Sequence, residues 1–228
     1  MKNVYIINGI NSDLAQFFLK KKSLSNILII GVHRSSYKGI RSKRIILVKS
    51  YTKIRKIIDK KIKGETKIIF INFAASRDDK LILNLDIKNI NKTIETNILS
   101  SIKIAKEIIP HMIKYKFGRF IFLSSSKAEF GSEGNALYSF SKAGLQGLSR
   151  SISKEYAKFN ITSNIISLGY FNTRMWSSLK NNIKRDLLNK TLNKKLGNPM
   201  ALVDIIKIIV KYNFINMAKI NIDGGVLE

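Results

Sequence analysis

Seven short apolar runs, most of them separated by stretches of helical period, set the strongest limit on what this chain can fold into. Residues 4–7, 27–30, 45–48, 68–71, 120–123, 163–166 and 220–222 are rich in Ile and Val, and most carry no polar alternate. A strand without a polar face is covered on both sides. Between the runs, Ile94, Ile98, Ile102, Ala105 and Ile109 recur at spacings of three and four, with Pro110 expected to break the pattern. Leu145, Leu148, Ile152 and Tyr156 recur in the same way, and residues 204–212 form a last short helix that can begin at Pro199. Strand alternating with helix predicts an α/β chain, a single-domain doubly wound parallel sheet of about seven strands spanning residues 1–228. The second crossover, between Ile30 and Ile45, has no room for a full helix and is expected to be a loop or a single turn. Such sheets bind ligands beyond the carboxyl ends of their strands. Residues 176–198 follow the sixth run, are polar and basic, and carry no strand pattern. A substrate lid is expected there.

The side-chain inventory narrows the chemistry. With no cysteine, thiolate catalysis and disulfides are excluded, and the two histidines, His33 and His111, are too far apart in sequence to suggest a metal pair. No apolar run has the length of a membrane span, and residues 1–7 lack the pattern of a signal peptide, so the expected setting is cytoplasmic. The net charge of +26 admits a polyanionic partner. Lysine, however, far outnumbers arginine, and Ile and Asn are abundant too, as AT-rich codons would give. The lysines are also spread along the chain, and no nucleic-acid-binding motif is present. No specific nucleic-acid partner is expected.

Five local patterns carry possible chemistry. Gly9, Asn11, Ser12, Asp13 and Leu14 follow the first run and open a helix, where backbone amides can receive a pyrophosphate. Gly9 alone remains of a full glycine pattern, with Asp13 and Ala15 at the other two places and Asp13 a candidate helix cap. Tyr138 and Lys142 stand four apart at the start of a helix, so both project from one face. An ammonium beside a phenol favours the phenolate and is expected to draw its pKa down. Ser125, at a strand end thirteen residues before Tyr138, offers a hydroxyl to the same crevice. Asn72 and Ala74 lie where small residues would let a ligand approach the backbone. Asn97, mid-helix among isoleucines, implies a specific buried bond or water site.

In this order and spacing, these residues resemble the short-chain dehydrogenase/reductase family, from Val4 to Gly225. Gly118-Arg119-Phe120 through Ala143-Gly144 is the most specific stretch. Asn72 to Ala75, Asn164 with Leu168-Gly169 and Thr173, and Asp223-Gly224-Gly225 match further family segments. The resemblance implies a Rossmann fold and hydride transfer between a nicotinamide cofactor and a carbonyl or secondary alcohol. It implies Tyr138 as proton donor, Ser125 as holder of the substrate oxygen, and Lys142 as the group that tunes Tyr138 and binds the ribose. Asn97 would hold a relay water, and no metal is needed. Gly9, Asn11, Ser12, Asp13, Leu14, Asn72, Ala74, Gly169, Phe171 and Thr173 would border the cofactor.

Three departures accompany the resemblance: the reduced glycine turn, Leu168 in place of a proline, and two of four letters kept in Asn72 to Ala75. The end of the second strand carries no acidic residue. Arg34, with Ser35 or Ser36, can take a 2′-phosphate, so NADP(H) is favoured over NAD(H). A small-molecule or carrier-bound carbonyl substrate is expected, and a homodimer or homotetramer built on the helices starting near Thr93 and Tyr138 is implied. The short second crossover and residues 166–172 also resemble members from surface-polysaccharide gene sets. A 3-oxoacyl-acyl-carrier-protein reductase is the alternative activity, and a non-catalytic nucleotide-binding regulator on the same fold is the alternative class.

Overall fold

The computed structural model describes residues 2–22, 26–62 and 64–227. Each apolar run lies in a strand: β1 (Lys2–Asn8), β2 (Ile27–Val32), β3 (Ile45–Val48), β4 (Thr66–Asn72), β5 (Gly118–Ser125), β6 (Ile161–Leu168) and β7 (Lys219–Ile222). They form one parallel sheet in the order β3-β2-β1-β4-β5-β6-β7. The chain winds outward from β1 to β3, crosses to the other side of β1, and winds outward again from β4 to β7. The switch point therefore lies between β1 and β4, where a doubly wound sheet opens its crevice.

The helices are α1 (Asp13–Lys21), α2 (Thr52–Lys61), α3 (Ile87–Ile94), α4 (Ser100–Lys114), α5 (Lys127–Phe130), α6 (Ala136–Tyr156), α7 (Arg174–Ser177), α8 (Asn181–Asn189) and α9 (Pro199–Lys211). The strand period of two sorts apolar side chains into two layers. Val4, Ile6, Ile30, Phe70 and Phe120 meet Ile58 of α2, Ile108 and Met112 of α4, and Leu145 of α6. Tyr5, Ile7, Ile29, Ile71 and Ile121 meet Phe18 of α1 and Val203, Ile206 and Ile209 of α9. Burying one such side chain contributes about 1.5–3 kcal/mol, so a polar residue on either face of a central strand would be costly. β7, at the sheet edge, alternates exposed and half-buried residues. Asn164 pins its approach, donating to the Ile215 carbonyl at 2.9 Å and accepting from the Ala218 amide at 3.0 Å.

Residues 33–44 hold no helix, as the short crossover requires. Pro110 corrects an expectation: it lies inside α4, which continues to Lys114. Proline removes one helical hydrogen bond and costs about 3 kcal/mol in a helix interior. Here Ile104, Ile108 and Met112 are fully buried against the sheet, and that packing carries the helix past the lesion. Residues 176–198 contain the end of α7 and all of α8, with short bridges from Phe171 to Gly197 and from Thr191 to Val226.

Candidate active site

A cleft of about 620 Å³ opens at the carboxyl ends of the central strands, within the range of small-molecule sites. The turn after β1 contributes Gly9, Asn11, Ser12, Asp13 and Leu14. The end of β2 contributes Arg34, and the segment after β4 contributes Ala74. Ser125, Tyr138 and Lys142 come from β5 and α6, and Gly169, Phe171 and Thr173 from the segment after β6. Asn72 and Asn97 do not line the cleft; they hold its walls from behind.

Gly9 is required by geometry. Its φ is +73°, and a Cβ there would lie 2.6 Å from the Ala74 backbone. Glycine alone allows both the left-handed conformation and the close passage of the segment after β4. Ser12 caps α1, its hydroxyl accepting from the Ala15 amide at 3.1 Å. Asp13 is therefore not the cap, contrary to expectation, but the first helical residue. Its carboxylate meets Arg174 of α7: Oδ1 lies 2.8 Å from Nε, and Oδ2 accepts from the Arg174 backbone amide at 2.6 Å.

The reacting end is stitched between β5 and α6. Ser124 Oγ donates to the Lys142 carbonyl at 3.2 Å, and Lys142 Nζ donates to the Leu123 carbonyl at 2.9 Å. Burial pushes the Tyr138 phenol above its ordinary pKa, while a hydrogen bond with Ser125 and the nearby Arg77 guanidinium pull it down. Lys142 does not supply the expected depression. Its Nζ stands over the Tyr138 ring, 5.7 Å from the centroid, and is turned to the Leu123 carbonyl. Burial lowers its own pKa to about 8. The phenol therefore carries its proton at neutral pH, as a proton donor must, although burial makes it a weaker acid.

Asn97 sits in a π turn (Glu95–Leu99) between α3 and α4, a local widening of the kind that recurs at functional sites. It is fully buried. Its Oδ1 accepts from the Ser76 amide at 2.7 Å, and Nδ2 donates to the Ser76 carbonyl at 2.9 Å and to Ser141 Oγ at 2.8 Å. The expected buried bond is thus a clamp from the π turn to the segment after β4 and to α6, one turn from Tyr138. Asn72 works similarly: its Oδ1 accepts from Asn8 Nδ2 at 2.9 Å and from the Ala74 amide at 3.2 Å, shaping the turn that Gly9 approaches.

Arg34 borders the cleft but is not a free cation. Its guanidinium donates to Thr96 Oγ1 at 2.8 Å, Tyr51 Oη at 3.0 Å, and Glu95 Oε1 at 3.1 Å. Lys103 also pairs with Glu95, at 2.8 Å. The pairing holds Arg34 in place while leaving other guanidinium protons for a ligand. Val32, His33 and Ser35 border the cleft beside it, and none is a carboxylate.

The family model of short chain dehydrogenases matches residues 46–184. This chain belongs to the short chain dehydrogenase family. The FabG 3-oxoacyl-[acyl-carrier-protein] reductase of Buchnera aphidicola is 29% identical over 243 residues, covering 98% of this chain and 97% of that protein. The MabA reductase of Mycobacterium tuberculosis is 29% identical over 164 residues, 71% of this chain; that stretch spans 66% of MabA, just under two thirds of its length. The structure of ElxO with NADP bound superposes with a TM-score of 0.83 at 22% identity, covering 98% of both chains. A short chain dehydrogenase family protein from Francisella tularensis gives 0.82 at 17% identity. These two likenesses speak to the fold alone.

The sequence reading of this short chain dehydrogenase missed several residues that the cleft brings in. Asn8, Lys92, Thr96 and Arg174 line it, and Arg77 acts on Tyr138 from just outside. Asn8 closes the otherwise apolar first run. Lys92 and Thr96 share the helix that carries Asn97, and Arg174 follows Thr173, but no spacing pattern includes them, so only their positions in space mark them. No helix among the described residues is long and apolar enough to cross a membrane.

Proposed function

We propose that this short chain dehydrogenase reduces a carbonyl to a secondary alcohol with NADPH, Tyr138 donating the proton. The observation that carries the reading is the convergence of Ser125, Tyr138 and Lys142 on the cleft that also receives the Gly9 turn. The residues present fit a dinucleotide. The Gly9 turn has no room for a side chain, and the first amides of α1, which no helix can satisfy internally, face a cleft of suitable size. At the end of β2, Arg34 and Ser35, with Lys92 of α3, offer positive charge and a hydroxyl to the cleft, and the Glu95 carboxylate that pairs with Arg34 does not line it; this favours a 2′-phosphate. The nicotinamide, when bound, supplies a hydride to the carbonyl carbon. Tyr138 gives its phenolic proton to the oxygen as negative charge develops there. The Ser125 hydroxyl hydrogen-bonds that oxygen and stabilises the charge. Lys142, fixed by the Leu123 carbonyl, supplies positive charge beneath the phenol and is placed to bind the ribose. Asn97 keeps Ser76 and Ser141 in register around them, and the expected relay water would stand beside it.

A second reading, 3-oxoacyl-acyl-carrier-protein reduction, is favoured by the relatives named above; an acidic carrier would also suit a chain of net charge +26. In either case residues 176–198 act as the substrate lid of a single domain in a cytoplasmic enzyme. The partly exposed Leu99 and Phe140 provide an apolar surface for pairing into a homodimer or homotetramer. The test is fluorescence titration with NADPH and NADH, followed by turnover on simple ketones and on an acetoacetyl-carrier thioester. Tyr138→Phe is expected to bind NADPH normally and lose about 10²–10⁴-fold in rate. Failure of the wild type to bind either dinucleotide, or full turnover by the variant, would overturn the reading.

A further inference from the structure

Asp13 poses a physical problem. It places a carboxylate in the turn that receives the pyrophosphate, where like charges repel. The structure provides a compensation from across the cleft. Arg174 reaches Asp13 through Nε at 2.8 Å, through its backbone amide at 2.6 Å, and reaches the Asn11 carbonyl through Nη2 at 2.5 Å. Both residues line the cleft, and they are 161 positions apart in sequence. We infer that Arg174 is a positioning residue for the cofactor: it neutralises Asp13 and, with it, clasps α7 across the dinucleotide cleft. The inference rests on the dinucleotide reading of that cleft.

Burial decides when the pair matters. In the free protein the Arg174 side chain is 74% exposed and that of Asp13 35%, and an ion pair that wet adds little to stability. Once a dinucleotide covers the turn, water no longer screens the carboxylate. Loss of the guanidinium would then leave a bare negative charge beside the pyrophosphate. The pair also fixes the start of α7, whose Thr173 hydroxyl caps the helix at the Trp176 amide. Trp176 is the chain's one tryptophan and lies 5.6 Å from the Tyr170 ring. It is a built-in reporter of α7.

The experiment is a double-mutant cycle on Arg174→Gln and Asp13→Asn, read two ways. Without cofactor, acrylamide quenching of Trp176 fluorescence is expected to rise in each single variant as the clasp opens, and no further in the double variant. Upon NADPH titration, Arg174→Gln is expected to weaken binding about tenfold while Asp13 is intact. In the Asp13→Asn background the same change is expected to weaken binding less than about threefold. Equal effects of Arg174→Gln in both backgrounds would mean that Arg174 contacts the cofactor independently of Asp13, and would overturn the inference. So would unchanged quenching together with unchanged affinity. If the wild type binds no dinucleotide, the cofactor reading falls and the inference with it; if the wild type binds and the cycle is additive, the clasp alone falls.

Discussion

Lys142 shows how position changes the meaning of a charged side chain. On sequence spacing it is a cation next to a phenol; in the fold it is an ammonium that donates to a carbonyl, and burial lowers its pKa from 10.5 to about 8. The unfolded chain therefore binds more protons between about pH 8 and 10.5. Folding stability should rise with pH through that window and be lost again as pH falls through about 8. Urea unfolding near the two ends of the window should reveal the slope in wild type and its absence in Lys142→Met. The reductive rate should decline above about pH 8 as the ammonium is lost, in a pH profile of turnover. Arg34 makes a different point. Because Glu95 and Tyr51 hold it in place, its removal should raise KM for NADPH by about tenfold or more, with little change for NADH. A parallel change for both cofactors would remove Arg34 from 2′-phosphate recognition.

Among the elements, the continuous helix from α3 through the π turn to α4 departs most from local expectation. Asn97 is a poor helix former and Pro110 a helix breaker, yet both lie inside it. The two are tolerated for different reasons. Asn97, itself buried, exchanges helical regularity for three hydrogen bonds that fix the walls of the cleft. Pro110 is exposed and supplies no amide to the helix, which its core-held neighbours Ile108 and Met112 carry past it. Pro110→Ala should stabilise the protein by about 1–3 kcal/mol. A urea titration should show a higher midpoint at unchanged slope. No stabilisation would mean that the helix has already relaxed around the ring.

For the molecule as a whole, two apolar layers close on the sheet and leave many other large apolar side chains exposed, Phe140 and Leu99 among them. Phe140 is 61% exposed on α6, two residues beyond Tyr138, and Leu99 is 39% exposed at the end of the π turn. If these surfaces pair across a two-fold axis, Phe140→Asp should convert the assembly to monomers. Light scattering after size-exclusion chromatography would detect the change. A wild-type protein that elutes as a monomer at micromolar concentration would exclude that interface. The +26 charge spreads over the same surface without a motif to focus it.

The run of strands, the burial of the central ones on both faces, the short second crossover and the family were all legible in the sequence, because period and composition are local properties that the sheet preserves. Ser125, Tyr138 and Lys142 were legible for the same reason: fixed spacing on regular elements carries side chains to predictable places. The hydrogen-bond partners were not. That Asp13 meets Arg174, that Arg34 is held by Glu95, and that Lys142 faces a carbonyl rather than the phenol hydroxyl depend on contacts between residues remote in sequence. Only the packing of the chain sets those distances, and at a few ångströms the partner decides the charge and the pKa that each group presents.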